Sequence, residues 1–346
     1  MVDFAQAELT QVSIHWVGNK LLEESLSTSS ESVSVTDEDT TRNLLTYFLS
    51  SFKDEETYNL DHPTDLKQNQ MYAYANRIFK DDSSFHDLSI EIAKHLHACS
   101  VHPKIEGGDL WVSHFSGCIV DGKRTNVLGV FRSGAKTSFL KTRHQKGIVK
   151  VNSDEGIAVN KLEKGCLIFN LDKQDGFRVL IVDTRKAVDG PYWKADFLQA
   201  RTVVNSFSST KNALLVAKEF VTKELVDEFD LSKTDQIDIL NRSMDYFKDN
   251  NNFNKNEFEK QVFADKNYIN SFRKFDDSFR KENAIEFEDE FDISSNAVKK
   301  QARIFKSVLK LDKNFHIYIH GNKNLIEKGQ ERDGRKFYKI YYDEES

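Results

Sequence analysis

Gly107-Gly108-Asp109-Leu110-Trp111-Val112-Ser113-His114-Phe115-Ser116-Gly117-Cys118-Ile119-Val120-Asp121-Gly122-Lys123-Arg124-Thr125-Asn126-Val127-Leu128-Gly129-Val130-Phe131-Arg132 is the run that decides the fold. Two apolar-rich stretches, 111–120 and 125–132, flank Asp121-Gly122, a dipeptide that tolerates the positive φ values of a tight hairpin turn. Downstream, strands are predicted near 138–141, 147–151, 156–159, 166–171 and 177–183, with a second hairpin signal at Asp175-Gly176. The middle of the chain therefore reads as an antiparallel sheet that carries basic residues.

Upstream, Val12 to Val17 alternates apolar and polar residues before Gly18-Asn19, which predicts a strand entering a turn. The Ser-rich 27–34 reads as a loop. Asp37, Glu38 and Asp39 precede Leu44, Leu45, Phe48, Leu49 and Phe52 at helical spacing, and acids in a first turn suit the positive end of a helix. A second helix is expected over 83–97. Past 206–210 the period turns helical, with segments at 214–229, 237–247, 256–263, 266–279 and 295–306, broken by an Asn-rich loop at 250–252. Strands at 315–319 and 336–342 close the chain. The reading is an α+β protein: a sheet-containing domain over 1–205 with flanking helices, and a helical domain over 206–346 ending in a small β meander.

Length and composition bound the function. The 346 residues exceed one ordinary domain. No run reaches a membrane-spanning length, and Met1-Val2-Asp3-Phe4 lacks the shape of a secretion signal. Cys99, Cys118 and Cys166 are too few and too scattered for a disulfide framework or a Cys-x-x-Cys knuckle. A cytoplasmic protein is expected. The 49 basic and 55 acidic side chains give a net charge of −6, which speaks against uniform coating of nucleic acid. The distribution is uneven, however. Residues 1–110 hold 8 basic and 19 acidic side chains, 111–220 hold 18 and 10, and 221–346 hold 23 and 26. Within 121–150, Lys123, Arg124, Arg132, Lys136, Lys141, Arg143, Lys146 and Lys150 face one acid, Asp121. Lys299, Lys300, Arg303 and Lys306 form a second basic run. Such asymmetry points to an anionic partner, against the plainer reading of a solvated face balanced elsewhere.

Catalytic patterns fit less well. Gly129 to Thr137 nearly spells a phosphate loop, but Ala135 separates Gly134 from Lys136 and a strand follows where a helix is needed. Asp109 with Asp121-Gly122-Lys123 imitates the acid, acid-x-Lys pattern of Mg²⁺-dependent nucleases, although Asp-Gly already has a role as a turn. His95 with His97, and His316 with His320, offer no third ligand nearby. The Phe-rich helices read as core. Acidic 286–292, alternating with Phe287 and Phe291, reads as a linker docking its rings, or else as a partner-binding segment that competes with the basic runs.

The order of features carries a resemblance. Ile14-His15 on an N-terminal strand is followed by a helix, then Gly107-Gly108 before a hairpin containing His114-Phe115. Glu155 to Asn160, Tyr192 to Leu198, and Phe291-Asp292 before a basic helix come next. This arrangement resembles the bacterial nucleoid-associated proteins of the YejK/NdpA-like family. The resemblance implies association with the bacterial chromosome, double-stranded DNA binding, contact with a topoisomerase or another chromosomal protein, and no established catalysis. No cofactor is expected. The phosphate-contacting residues, taken from charge and placement, are the two basic runs named above. A homodimer is expected because weak backbone binders gain avidity from two linked sites. The rival functions are a protein-interaction scaffold and the Mg²⁺-dependent nuclease.

Overall fold

The computed structural model describes residues 2–52, 56–134, 136–145, 147–283, 285–302, 305, 308–311, 314–318, 325–342 and 344. The chain divides into two compact units, Met1–Val203 and Val204–Ser346. It is α+β, with a large antiparallel sheet, helices and small C-terminal hairpins.

The first unit begins with β1 (Val2–Asp3), β2 (Glu8–Val17), β3 (Leu26–Thr28), α1 (Glu38–Leu49), β4 (Tyr58–Leu60), α2 (Gln70–Lys80) and α3 (Phe85–Cys99). Asp37 caps α1 by accepting from the Thr40 amide at 2.7 Å. The long hairpin follows as β5 (Gly108–Val120) and β6 (Lys123–Ser133). Asp121 and Gly122 both have positive φ, 49° and 78°, as the tight turn requires. Then come β7 (Thr137–Gln145), β8 (Ile148–Gly156), β9 (Lys164–Phe169), β10 (Arg178–Asp183), α4 (Lys186–Asp189) and β11 (Ala200–Thr202).

The main sheet runs β11-β4-β10-β9-β6-β5-β2-β3, with β1 also on β5. Both of its faces are covered. Leu110, Val112, Leu128, Val130, Cys166 and Ile168 pack under α2 and α3, while Phe115, Val127, Phe131, Leu167 and Phe169 pack under α1. That two-sided burial explains why 127–131 and 166–169 are nearly continuous apolar runs rather than alternating ones. The Ser-rich stretch, expected as a loop, contributes β3, because its backbone pairs with the end of β2. The strand expected at 156–159 ends at Gly156.

Strands β7 and β8 do not join this sheet. They pair only with each other, as a two-stranded ribbon whose residues are exposed almost throughout. The basic middle of the chain is therefore not a sheet face but an arm.

The second unit comprises α5 (Ser206–Glu219), α6 (Leu225–Phe229), α7 (Lys233–Asp249), β12 (Asn252–Asn254), α8 (Lys255–Val262), α9 (Lys266–Glu282), β13 (Glu290–Asp292), α10 (Ser295–Ala302), and the strands β14 (Val308–Leu311), β15 (Phe315–Tyr318), β16 (Ile326–Gln330) and β17 (Lys336–Ile340). A π-helical turn, Phe220–Glu224, joins α5 to α6. Phe220, Phe247, Phe253, Phe258, Phe263 and Phe272 fill one core, so these rings are core and not a base-stacking platform. The Asn-rich loop holds β12, which pairs with β13. Phe287 is buried, and Phe291 stacks on Phe253 at 4.7 Å. The acidic segment thus docks through its rings. Its acids meet local donors: Glu290 accepts from Asn254 and Asp292 from Asn252, each at 2.7 Å. The closing strands form two separate hairpins, β14–β15 and β16–β17. No helix among the described residues is long and apolar enough to cross a membrane.

Candidate nucleic-acid interface

The cations of 121–150 go to three places. Lys123 and Arg124 are exposed at the Asp121-Gly122 end of the hairpin, beside Asp121 and Asp172, which pair with Arg178 at 2.6 and 2.9 Å. Eleven strand residues at ~3.4 Å each put that end about 35 Å along β6 from Ser133. Arg132 is a correction. It is 4 % exposed, and its guanidinium donates to Ser100 Oγ (3.2 Å), Tyr192 Oη (3.4 Å), the Val17 carbonyl (3.3 Å) and the Glu106 carbonyl (2.5 Å). Every one of these donors is turned inward, so Arg132 is not available to a phosphate.

Lys136, Lys141, Arg143 and Lys150 are exposed on the ribbon or at its root; Lys146 lies outside the described residues. The register fixes which side chains share a face, since directly opposed residues point the same way. Lys141 opposes Asn152 and Arg143 opposes Lys150, so all three cations occupy one face. Asp154 is also on that face and pairs with Lys141 at 2.5 Å. The Lys141 contact holds the Asp154 carboxyl below its ordinary range. Arg143 and Lys150 have no acidic partner among the described residues. Directly opposed like charges destabilise a strand pair, and a two-stranded ribbon is only marginally stable alone. An anion between the two side chains removes that repulsion.

A charged cluster holds the root. The Gly134 amide donates to Glu163 Oε2 at 3.1 Å, and Arg185 bridges Glu106 (2.9 Å) and Glu163 (3.8 Å). Buried Lys164 pairs with Asp183 at 2.6 Å and Asp189 at 3.0 Å. Gly108 admits no side chain, because a Cβ there would lie 2.1 Å from the Ser133 carbonyl oxygen. The cluster encloses only about 10 Å³, too little for more than one water. It is an anchor, not a pocket.

In the second unit, Lys299 and Lys300 are exposed on α10, with Lys300 Nζ 5.6 Å from the centre of the Phe207 ring. Arg303 and Lys306 lie outside the described residues.

The nuclease pattern is not assembled. Asp109 lies at the start of β5 and Asp121 just past its end, so the 13-residue strand holds them about 40 Å apart. Two carboxylates at that distance cannot share a metal. His95 and His97 each direct Nε2 at a carbonyl, of Phe197 (2.8 Å) and Glu24 (2.9 Å). The side chain of His316 and all of His320 lie outside the described residues. Among the described residues no three His, Cys, Asp or Glu side chains are grouped to hold a metal.

Sequence reasoning missed one nucleophile-like pair, His15 with Ser89, and its polarity is wrong for catalysis. Ser89 Oγ donates to the His86 carbonyl at 2.6 Å, so it accepts from His15 Nε2 at 2.8 Å. The Ser29 amide donates to His15 Nδ1 at 3.2 Å. Both contacts suit neutral imidazole, and burial, then His86, lowers the His15 pKa to about 4. Because the folded value lies below the unfolded value of about 6.5, the stabilisation is complete above pH ~6.5 and is lost as pH falls towards 4. Urea titration at pH 7 and pH 4.5 should show a loss of up to about 3 kcal/mol from this residue. The loss should shrink in His15→Gln; equal pH dependence in both proteins refutes the assignment. Buried His95 and His114 are shifted in the same direction.

An α+β body bearing a detached, one-sided basic ribbon is suited to a polyanion, and the family comparison is consistent with that. The family model described as nucleoid-associated protein YejK matches residues 13–344, nearly the whole chain, and the chain belongs to this family. Comparison with curated proteins finds no match.

Proposed function

We propose that the chain binds double-stranded DNA at the bacterial nucleoid through the ribbon, mainly by phosphate contact and with little sequence preference. The observation that carries this reading is the Arg143–Lys150 row, two opposed cations on an exposed arm with no acidic partner among the described residues. Lys141 extends the row along the same face, with Lys136 at the root and Lys146 as further contacts. A two-stranded ribbon also has the width that the major groove admits. Lys123 and Arg124, about 35 Å away along β6, and Lys299 and Lys300, with Arg303 and Lys306 beyond the described helix, remain secondary surfaces.

Fluorescence anisotropy of a labelled duplex across a salt series tests the reading. Each neutralised phosphate contributes about −0.9 to the slope of log K against log salt, so these three cations account for roughly −2.7. No binding, or binding indifferent to salt, refutes it. Asp154→Asn supplies a gain-of-function check. The carboxylate then no longer competes with phosphate for Lys141, so binding should tighten, by up to about eight-fold in 0.1 M salt. Unchanged affinity would remove Lys141 from the interface.

A further inference from the structure

The cation-bearing face of the ribbon also carries two apolar side chains, and the contacts assigned above make no use of them. Outward from the root, its rows after Thr137/Gly156 are Phe139/Asp154, Lys141/Asn152, Arg143/Lys150 and Gln145/Ile148. Phe139 has a local role. A Cβ on Gly156 would lie 3.1 Å from its ring, and the Lys141 ammonium stands 5.2 Å from the ring centre. Ile148 is 62 % exposed in the last paired row, and a Cβ on the preceding Gly147 would meet nothing within 4 Å among the described residues. Resting on the DNA reading above, we propose that Ile148 is a wedge that enters between two stacked base pairs and kinks the duplex.

A single exposed apolar side chain needs no explanation by itself; the place of this one supplies the argument. Arg143 stands on β7 and Lys150 on β8, so that row offers one cation from each strand. Ile148 precedes Lys150 by two residues on the same face, about 7 Å along the strand. A ribbon laid with the Arg143–Lys150 row on the phosphates of both backbones turns the same face, and Ile148 with it, towards the bases between them. The charge stops at that point. The last row pairs Ile148 with Gln145, an uncharged amide whose donor and acceptor both have counterparts on base edges. Cations followed by an uncharged, half-apolar row match a ligand that is anionic outside and apolar within, as stacked base pairs behind phosphates are. Leu140, Val149 and Val151 are exposed too, but they lie on the opposite face, turned away from the cations.

Apolar side chains inserted at base steps partly unstack them and kink duplexes by about 20–90°. Such wedges work from the minor groove, which opens as the duplex kinks away from it. Bent DNA thus admits the ribbon where straight DNA offers only the major groove. The cost of unstacking is offset by removing Ile148 from water and by bringing more of the backbone to the arm. That cost is least where pairing is already broken and lower at flexible steps than at stiff ones. The ribbon therefore selects DNA by how easily it deforms, which is compatible with little preference for base identity.

The test compares binding of the full chain to a paired duplex and to the same duplex with a central two-base mismatch. The native protein should bind the mismatched duplex at least about ten-fold more tightly. Dyes on the two ends of the paired duplex should draw closer when it binds, as energy transfer reads. Ile148→Thr keeps a β-branched, strand-forming side chain. It should lose the end-to-end shortening and bring the mismatch preference below about two-fold. Its affinity for the paired duplex should stay within about three-fold, because the cations remain. Ile148→Leu, still apolar, and Val149→Thr, on the other face, should keep both signals. Equal binding of the two duplexes by the native protein overturns the wedge and leaves the phosphate contacts standing. A preference that survives Ile148→Thr, or falls as far in Val149→Thr, overturns it as well. If the native chain binds neither duplex, the DNA reading and the wedge fall together.

Discussion

Replacing Lys141, Arg143 and Lys150 together by Gln is expected to weaken duplex binding about 500-fold in 0.1 M salt. Three lost phosphate contacts at about −0.9 each give a slope change near 2.7, which at that salt corresponds to two to three orders of magnitude. The fold should tolerate the change, since all three side chains are exposed and, among the described residues, only Lys141 has an acidic partner, Asp154. Removing the Arg143–Lys150 repulsion should if anything steady the ribbon. Thermal melting and circular dichroism should match the native protein. The paired control is Lys123→Gln with Arg124→Gln at the far end of the hairpin. Near-native affinity in the ribbon variant, or an equal loss in the control, would move the interface off the ribbon.

The second large effect concerns stability. Arg132→Met should cost about 3 kcal/mol or more, because it strands the buried acceptors that Arg132 now satisfies: the carbonyls of Val17 and Glu106, and the hydroxyls of Ser100 and Tyr192. For a unit of about 200 residues, that lowers the melting point by roughly 6–12 °C. DNA affinity per folded molecule should not change. A variant that melts like the native chain but loses affinity would return Arg132 to the list of phosphate contacts. The two substitutions separate charge that serves the partner from charge that holds the body together, although both lie within one 30-residue basic window.

That separation shows where the sequence was legible. The Asp121-Gly122 hairpin was readable because its signal is local: two positions needing positive φ between apolar runs. The Asp37 cap and the Phe-rich core were readable for the same kind of reason. The ribbon was half readable. Its strands read like those of a sheet, and nothing local in the sequence says that they pair only with each other. Arg132 was misread because a basic residue in a basic window looks exposed. The available signal was its place directly after Val127 to Phe131, a run buried on both faces, inside the same strand. The register that sets Arg143 against Lys150 brings Gln145 opposite Ile148 with no Asp-Gly between them to announce it. Strands β3 and β12 owe their existence to distant partners, so a Ser-rich or Asn-rich stretch alone could not announce them.

The strand order has a consequence for how the chain is made. β4 is held between β10 and β11, so residues 58–60 meet their partners only after residue 202 has left the ribosome. At about 5–20 residues per second, that wait lasts roughly 7–30 s. Hairpins close in microseconds, so β5–β6 and the ribbon can form as soon as they emerge. During synthesis the arm is complete while the body is still an open sheet with unpaired edges, the state in which strands pair wrongly. The slow step in closing the sheet is therefore the arrival of its last strand, a three-residue segment that ends two residues before the second unit begins.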